Sequence, residues 1–167
     1  QGIVQVSLQG GMQVLLFDAN EEGALAGRDL IFQRLDRSVD KGRLELDAVS
    51  QMKNNLILAD SIAAFKSCNV VVEAVFEDLK VKHAVYEELE QHVSSECIIA
   101  SNTSSLPISS LGRSCDRQER FAGLHFFNPV PLMRLVEVIR GPATDDWVID
   151  GLVKLGERMG RTPVVVR

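Results

Sequence analysis

Several things are scarce in this 167-residue chain, and each scarcity removes a class of function. Cysteine occurs three times, as Cys68, Cys97 and Cys115, with no C-x-x-C pair and no ligand-like cluster. An odd, scattered set excludes a disulfide framework and a structural zinc site, and reads as reduced thiols in an intracellular protein. No stretch of about 18 apolar residues is present, so no segment reads as a membrane-spanning helix. Positive charge is also short: 18 Lys and Arg against 23 Asp and Glu leave a net charge of −5. That balance argues against a general nucleic-acid or membrane surface, and leaves room only for a local basic patch that holds phosphates. The G-x-S-x-G elbow of serine hydrolases is absent. So is the G-x-G-x-x-G turn that opens a dinucleotide-binding unit.

What remains is the composition of one ordinary globular domain, 46% hydrophobic and 25% charged, long enough to bury a core. The chain opens on QGIVQVSLQGG, where Ile3, Val4 and Leu8 have helical spacing and Gly10-Gly11 forms a stop. Gln13 to Asp18, QVLLFD, then reads as a short aliphatic strand ending in an acid. Helix, glycine turn, strand and terminal acid make up the second half of a dinucleotide-binding βαβ unit. In such a unit the acid lies about 20 residues beyond the fingerprint and accepts hydrogen bonds from the adenosine ribose. Asp18 holds that place if the last fingerprint glycine stood just before Gln1. With no arginine immediately after it, Asp18 favours NAD over NADP. The competing reading is an aspartate that caps the helix beginning near Glu21.

Residues 21–53 have the pattern of a helical hairpin broken near Gly42. Arg34, Arg37 and Lys41 fall at i, i+3 and i+7 on one stripe, which either holds the phosphates of a carrier-linked substrate or is a solvated face. Two strand-like runs follow, Leu56 to Ala59 and Asn69 to Glu73, the second β-branched and suited to a buried parallel strand. A helix over 79–93 carries Lys82 near its entrance, just after Glu77, and His83 and His92 read there as exposed and incidental. Cys97 to Ala100 is the next strand, and the polar turn Ser101 to Ser105 leads to a short helix near Ile108. Any hydroxyl of that turn could be a helix cap. The helix over 145–159 reads as packed into the core through Trp147 and the stripe Val148, Leu152 and Leu155, before a last strand at 163–166.

The segment 122–139, AGLHFFNPVPLMRLVEVI, is the densest in chemistry. A strand over 121–124 delivers His125, a Pro-X-Pro loop follows, and a second strand over 134–139 sets Leu135, Glu137 and Ile139 on one face. Glu137 bonded to one ring nitrogen would fix the imidazole tautomer and leave the other nitrogen to take a proton. A core histidine satisfied by a carbonyl, with Glu137 at a solvated edge, is the other reading of the same spacing.

Taken together, GIVQ, VVVEAVFEDLKVK, SNTSSL and AGLHFFNPVPLMRLVEV resemble the N-terminal domain of the L-3-hydroxyacyl-CoA dehydrogenase family over essentially the whole chain. The resemblance implies an α/β, Rossmann-like, doubly wound and mostly parallel sheet, without the family's first strand and glycine-rich turn. It implies oxidation of a (S)-3-hydroxyacyl-CoA to the 3-oxoacyl-CoA with NAD as cofactor, or the reverse reaction. His125 would be the general base and Glu137 its orienting partner. Ser104 and Asn128 would hold the substrate oxygen and the nicotinamide region, Asp18 the ribose, with Glu77 and Lys82 adding cofactor contacts. Lys41 matches a position that contacts coenzyme A, and Arg34 stands where some relatives have a serine. The family's helical C-terminal domain, which forms its homodimer and supplies a further asparagine, is not in the chain. The chain therefore reads as part of a longer intracellular protein, cytoplasmic if bacterial and mitochondrial or peroxisomal if eukaryotic. Without its central first strand, the sheet is expected to be interrupted between two strands. Two rivals stand beside this reading: a related NAD-dependent hydroxy-acid (sugar-acid) dehydrogenase, and a non-catalytic fragment or binding module.

Overall fold

A computed structural model describes residues 1–166. Among these residues seven strands and six α-helices follow in the order α1 (Gly2–Gln9), β1 (Val14–Leu16), α2 (Glu21–Asp40), α3 (Leu46–Asn54), β2 (Leu56–Leu58), β3 (Val70–Glu73), α4 (Leu79–His92), β4 (Ile98–Ser101), α5 (Ile108–Leu111), β5 (Phe121–Phe126), β6 (Leu135–Arg140), α6 (Asp146–Arg158) and β7 (Thr162–Val166). The helix boundaries follow from local chemistry. Asn20 caps α2 by accepting the amide of Glu22, and Glu21 and Glu22 place negative charge at the positive end of the helix dipole. At the other end Gly42 adopts φ +64°, a left-handed turn that breaks the hairpin where the sequence predicted. Asp78 caps α4 through the amides of Lys80 and Val81.

The strands form two blocks. β1 and β2 pair in parallel, and a five-stranded sheet runs in the order β3-β4-β5-β6-β7. Within the larger sheet only the β5–β6 pair is antiparallel. Among the described residues no strand pairing joins the two blocks, and β3 forms an edge of the larger one. The interrupted sheet expected from the sequence is therefore present, and side chains bridge the interruption. Helix α1 sends Val6 into the core around β5, β6 and α6, and Leu8 into the core formed by Ile31, Leu35, Val49 and Leu56. Both are fully buried, each contributing roughly 1.5–3 kcal/mol. The rings of Phe17, after β1, and Phe65 meet edge to face at 6.5 Å, and both pack on the core that contains Val71 and Ile99.

The structure revises some local readings. β5 runs on through His125 to Phe126, because the ladder with β6 continues to the pair Phe126–Val136, so His125 lies inside a strand. Trp147 is 44% exposed, since the buried face of α6 is formed by Val148, Ile149 and Leu152 and Trp147 lies off that stripe. His83 is half-buried, with Nε2 3.0 Å from the carbonyl oxygen of Ser110, whereas His92 is exposed. Cys97 and Cys115 are buried free thiols, and burial, the largest influence on each, pushes both well above the usual thiol range.

β5 also lies tight against its neighbours. A Cβ added at Gly123 would stand 2.8 Å from Ile108 Cδ1 and 2.9 Å from Ile139 Cβ, the second of which is fixed to the paired strand. Gly123→Ala is expected to destabilise the domain by about 1–3 kcal/mol through overpacking. Thermal unfolding measures this, and an unchanged midpoint would mean that β6 yields at Ile139.

Candidate active site

Antiparallel pairing places His125 directly opposite Glu137. Directly opposed residues hold their Cβ atoms about 4.5–5.5 Å apart on the same face, so the two side chains must meet. His125 Nδ1 lies 2.9 Å from Glu137 Oε2, with side-chain exposures of 16% and 32%. The neighbours of this pair on each strand turn inward: Leu124 and Phe126 on β5, and Val136 and Val138 on β6, are all buried. Their packing holds the backbone, and the Phe127 ring lies 4.6 Å from the imidazole. An ionised carboxylate only accepts, so the contact assigns the ring proton to Nδ1 and makes Nε2 the basic nitrogen.

A second arrangement forms at the ends of β3 and β4. Glu77 Oε1 gathers the hydroxyl of Thr103, the amides of Ser104 and Ser105 at 3.0 and 3.1 Å, and the Ser105 hydroxyl at 3.2 Å. Its Oε2 receives Lys82 Nζ at 3.1 Å. The turn that carries Ser104 is thus wrapped around one carboxylate. Lys82, 1% exposed, also donates to Glu73 Oε1 at 2.8 Å, so its ammonium faces two carboxylates rather than solvent. Partial burial pushes the Glu77 carboxyl up, but the hydrogen bonds from Thr103, Lys82 and the Ser105 amide, with the Lys82 charge, outweigh it and hold the group at about 2.

Asn102 connects the two arrangements. Its amide donates to the Glu73 carbonyl at 2.8 Å, and its Oδ1 accepts the amide of Phe126, next to His125, at 2.9 Å. β4 also pairs with β5 at Ser101–Gly123, so the Ser101–Ser105 turn leaves the sheet beside the strand that carries His125. Ser104 and Asn128 are both exposed, the latter preceding a cis peptide bond to Pro129. Asp18 stands at the end of β1, exposed, with Oδ1 accepting the Asn20 amide at 2.9 Å. The capping carboxamide of α2 belongs to Asn20, and Asp18 supports it. Arg34 is half-buried and Lys41 exposed, on α2 and just past its end. Asp18, Arg34 and Lys41 therefore belong to the smaller block, and the other named site residues to the larger. Reasoning from the sequence did not single out Glu73, Asn102 or Thr103. The one available signal was an acid, Glu73, closing a run of valines.

A mostly parallel α/β sheet, with an acid after an early strand and polar groups at its strand ends, defines a Rossmann-like nucleotide-binding domain. Residues 1–167 match the family profile of the 3-hydroxyacyl-CoA dehydrogenase NAD-binding domain, and the chain belongs to that family. It is 42% identical over 165 residues to the fatty acid oxidation complex subunit alpha of Pseudomonas paraeruginosa, covering 99% of this chain and 23% of that protein. The crystal structure of 3-hydroxybutyryl-CoA dehydrogenase from Escherichia coli superimposes with a TM-score of 0.96 at 36% identity, over 98% of this chain and 35% of that one. That of (S)-3-hydroxybutyryl-CoA dehydrogenase from Ralstonia eutropha gives 0.95 at 33% identity, over 99% and 58%. The chain thus spans about a quarter to three-fifths of the length of these relatives.

The depressed Glu77 carboxyl has a consequence for pH. Its folded value lies below the ordinary 4.5, so its contribution to holding the turn is complete above 4.5 and disappears as the pH falls toward about 2. The amide resonances of Ser104 and Ser105 are expected to stay constant from neutral pH down to the ordinary carboxylate range and to shift below it. An NMR titration measures this, and a midpoint at or above 4.5 would contradict the assigned hydrogen bonds.

Proposed function

We propose that the protein containing this domain oxidises (S)-3-hydroxyacyl-CoA to 3-oxoacyl-CoA with NAD, or runs the reaction in reverse. The observation that carries the proposal is the 2.9 Å bond between His125 Nδ1 and Glu137, which leaves Nε2 as an oriented base. The surrounding residues fit the cofactor: Asp18 offers an exposed carboxylate for a ribose hydroxyl, and Glu77, Ser104 and Asn128 stand at the larger sheet's strand ends. Lys82 reaches the cofactor region through its bond to Glu77. NAD, when bound, supplies the acceptor for the hydride from the C3 carbon.

The chain's own residues manage the proton and the geometry. His125 Nε2 takes the C3 hydroxyl proton as the C3–H bond breaks and the carbonyl forms, and Glu137 stabilises the resulting imidazolium through Nδ1–H. Ser104 and Asn128 orient the oxygen on which charge changes. In the reductive direction the imidazolium returns the proton. Lys41 and Arg34, both cationic and on the smaller block, hold the phosphates of coenzyme A. The longer protein is a homodimer assembled through a helical C-terminal domain, and it acts inside the cell in fatty acid metabolism. The names of the matched relatives support the place in fatty acid metabolism: one is a fatty acid oxidation subunit and two are 3-hydroxybutyryl-CoA dehydrogenases.

NADH oxidation by the full-length protein, with acetoacetyl-CoA compared against free acetoacetate, tests the substrate class. Turnover of the free acid alone would favour a hydroxy-acid dehydrogenase. Replacing His125 by Gln is expected to lower kcat by at least about 10²-fold, within the range for a general base, while NADH binding stays nearly intact. Equal loss of both would remove His125 from this role.

A further inference from the structure

Glu73 ends β3 with its carboxylate buried, 4% exposed, and the reaction proposed above gives it no part. Four donors fill it. Oε1 accepts the Val75 amide at 2.7 Å and Lys82 Nζ at 2.8 Å, while Oε2 accepts the hydroxyls of Tyr86 at 2.5 Å and Ser101 at 2.8 Å. A carboxylate buried this deeply is strongly penalised unless its lone pairs are met, and here four sites are met.

Two of those donors lead to the turn that carries Ser104. Lys82 continues to Glu77, which binds Thr103, Ser104 and Ser105. Ser101 Oγ in turn accepts the amide of Thr103 at 3.3 Å. The Glu73 backbone holds Asn102, whose side chain reaches the amide next to His125. Both ends of the turn therefore hang from one residue. Tyr86 differs in degree: from α4 it gives the carboxylate one bond, on the Oε2 that Ser101 also meets, it makes no hydrogen bond among the described residues to 102–105, and its ring packs against Phe121 at 4.9 Å.

We propose that Glu73 is a positioning residue: through Lys82 and Glu77 on one side, and Ser101 and Asn102 on the other, it sets where Ser104 stands relative to His125. The assignment rests on the reaction proposed above. A residue that misplaces the oxygen-orienting group by a fraction of an ångström acts on the transition state more than on ground-state binding.

The test compares Glu73→Gln with Tyr86→Phe in the full-length protein, using acetoacetyl-CoA and NADH. Glu73→Gln is expected to lower kcat roughly tenfold to a hundredfold, with KM changed by less than about threefold. The Ser104 and Ser105 amide signals should shift in the same variant. Tyr86→Phe, which leaves Val75, Lys82 and Ser101 on the carboxylate, should lower the melting temperature while changing kcat and those signals far less than Glu73→Gln does, which a purely stabilising role for the carboxylate would not allow. Ser101→Ala, which removes one bond, should move kcat and the amides in the same direction by less, and it decides the matter if Glu73→Gln does not fold. Wild-type kcat with unshifted amides in a folded Glu73→Gln, or in Ser101→Ala standing in for it, would overturn the assignment. So would a loss of kcat that merely follows melting temperature alike in Glu73→Gln and Tyr86→Phe. If the wild-type protein turns over no 3-hydroxyacyl-CoA, the proposed function fails by itself. The amide comparison then still decides whether Glu73 sets the turn.

Discussion

The pairing register of β5 and β6 governs the site. Side chains alternate along a strand, so a slip of one residue would send Glu137 into the core and bring Val136 or Val138 to the imidazole. That slip is prevented by the same alternation. Leu124, Phe126, Val136 and Val138 are all at most 4% exposed, and moving them to the outer face would forfeit roughly 1.5–3 kcal/mol for each large side chain. The His125–Glu137 pair thus inherits its geometry from the apolar residues between which it sits. A polar contact of 2.9 Å is held in place by packing on the opposite side of the sheet.

The second half of the site relies on a different kind of force. Glu73, Lys82 and Glu77 form a charged run in which the first two side chains are 1% exposed. Removing one member of such a buried pair typically costs about 3–5 kcal/mol, whereas replacing both with apolar groups is often neutral, so the pair is weak evidence for stability as such. What it provides is direction: each carboxylate oxygen has a named donor, and the turn of Ser104 is tied to Glu77 through Thr103, Ser104 and Ser105. The two halves meet at Asn102, the only side chain among the described residues that hydrogen-bonds the backbone of Phe126.

Much of the fold was legible because the sequence punctuates it plainly. Gly42 broke the 21–53 hairpin at a position that needs a left-handed turn, and the valines of β3 marked a buried strand. Period-two spacing in β6 left the dyad open beside a core histidine, and the resemblance supplied the pairing, because its geometry depends on an antiparallel register that no local pattern encodes. Where reading failed, the cause was tertiary. Trp147 looked like core by residue type but lies one position off the stripe that faces β5 and β6. His125 looked like the residue after a strand because the following Phe-Asn-Pro reads as loop, whereas the ladder with β6 carries the strand one residue further. Glu73 was passed over because an acid at the end of an apolar run resembles a solvated strand terminus. Its four donors come from residues as far as 28 positions away.

The hairpin that carries the dyad is short in sequence, and this separates the two halves of the site in the order of assembly. His125 and Glu137 are 12 residues apart, while the bonds from Glu77 to the Ser104 turn span up to 28. By loop-closure entropy the longer connection is about 0.7 kcal/mol harder to close, before the cost of burying its charges is counted. His125 and Glu137 are therefore a local product of one hairpin. The turn that carries Ser104 is a long-range product, held only once β3, α4 and β4 stand together, so the two halves of the candidate site differ in how much of the chain each needs in place.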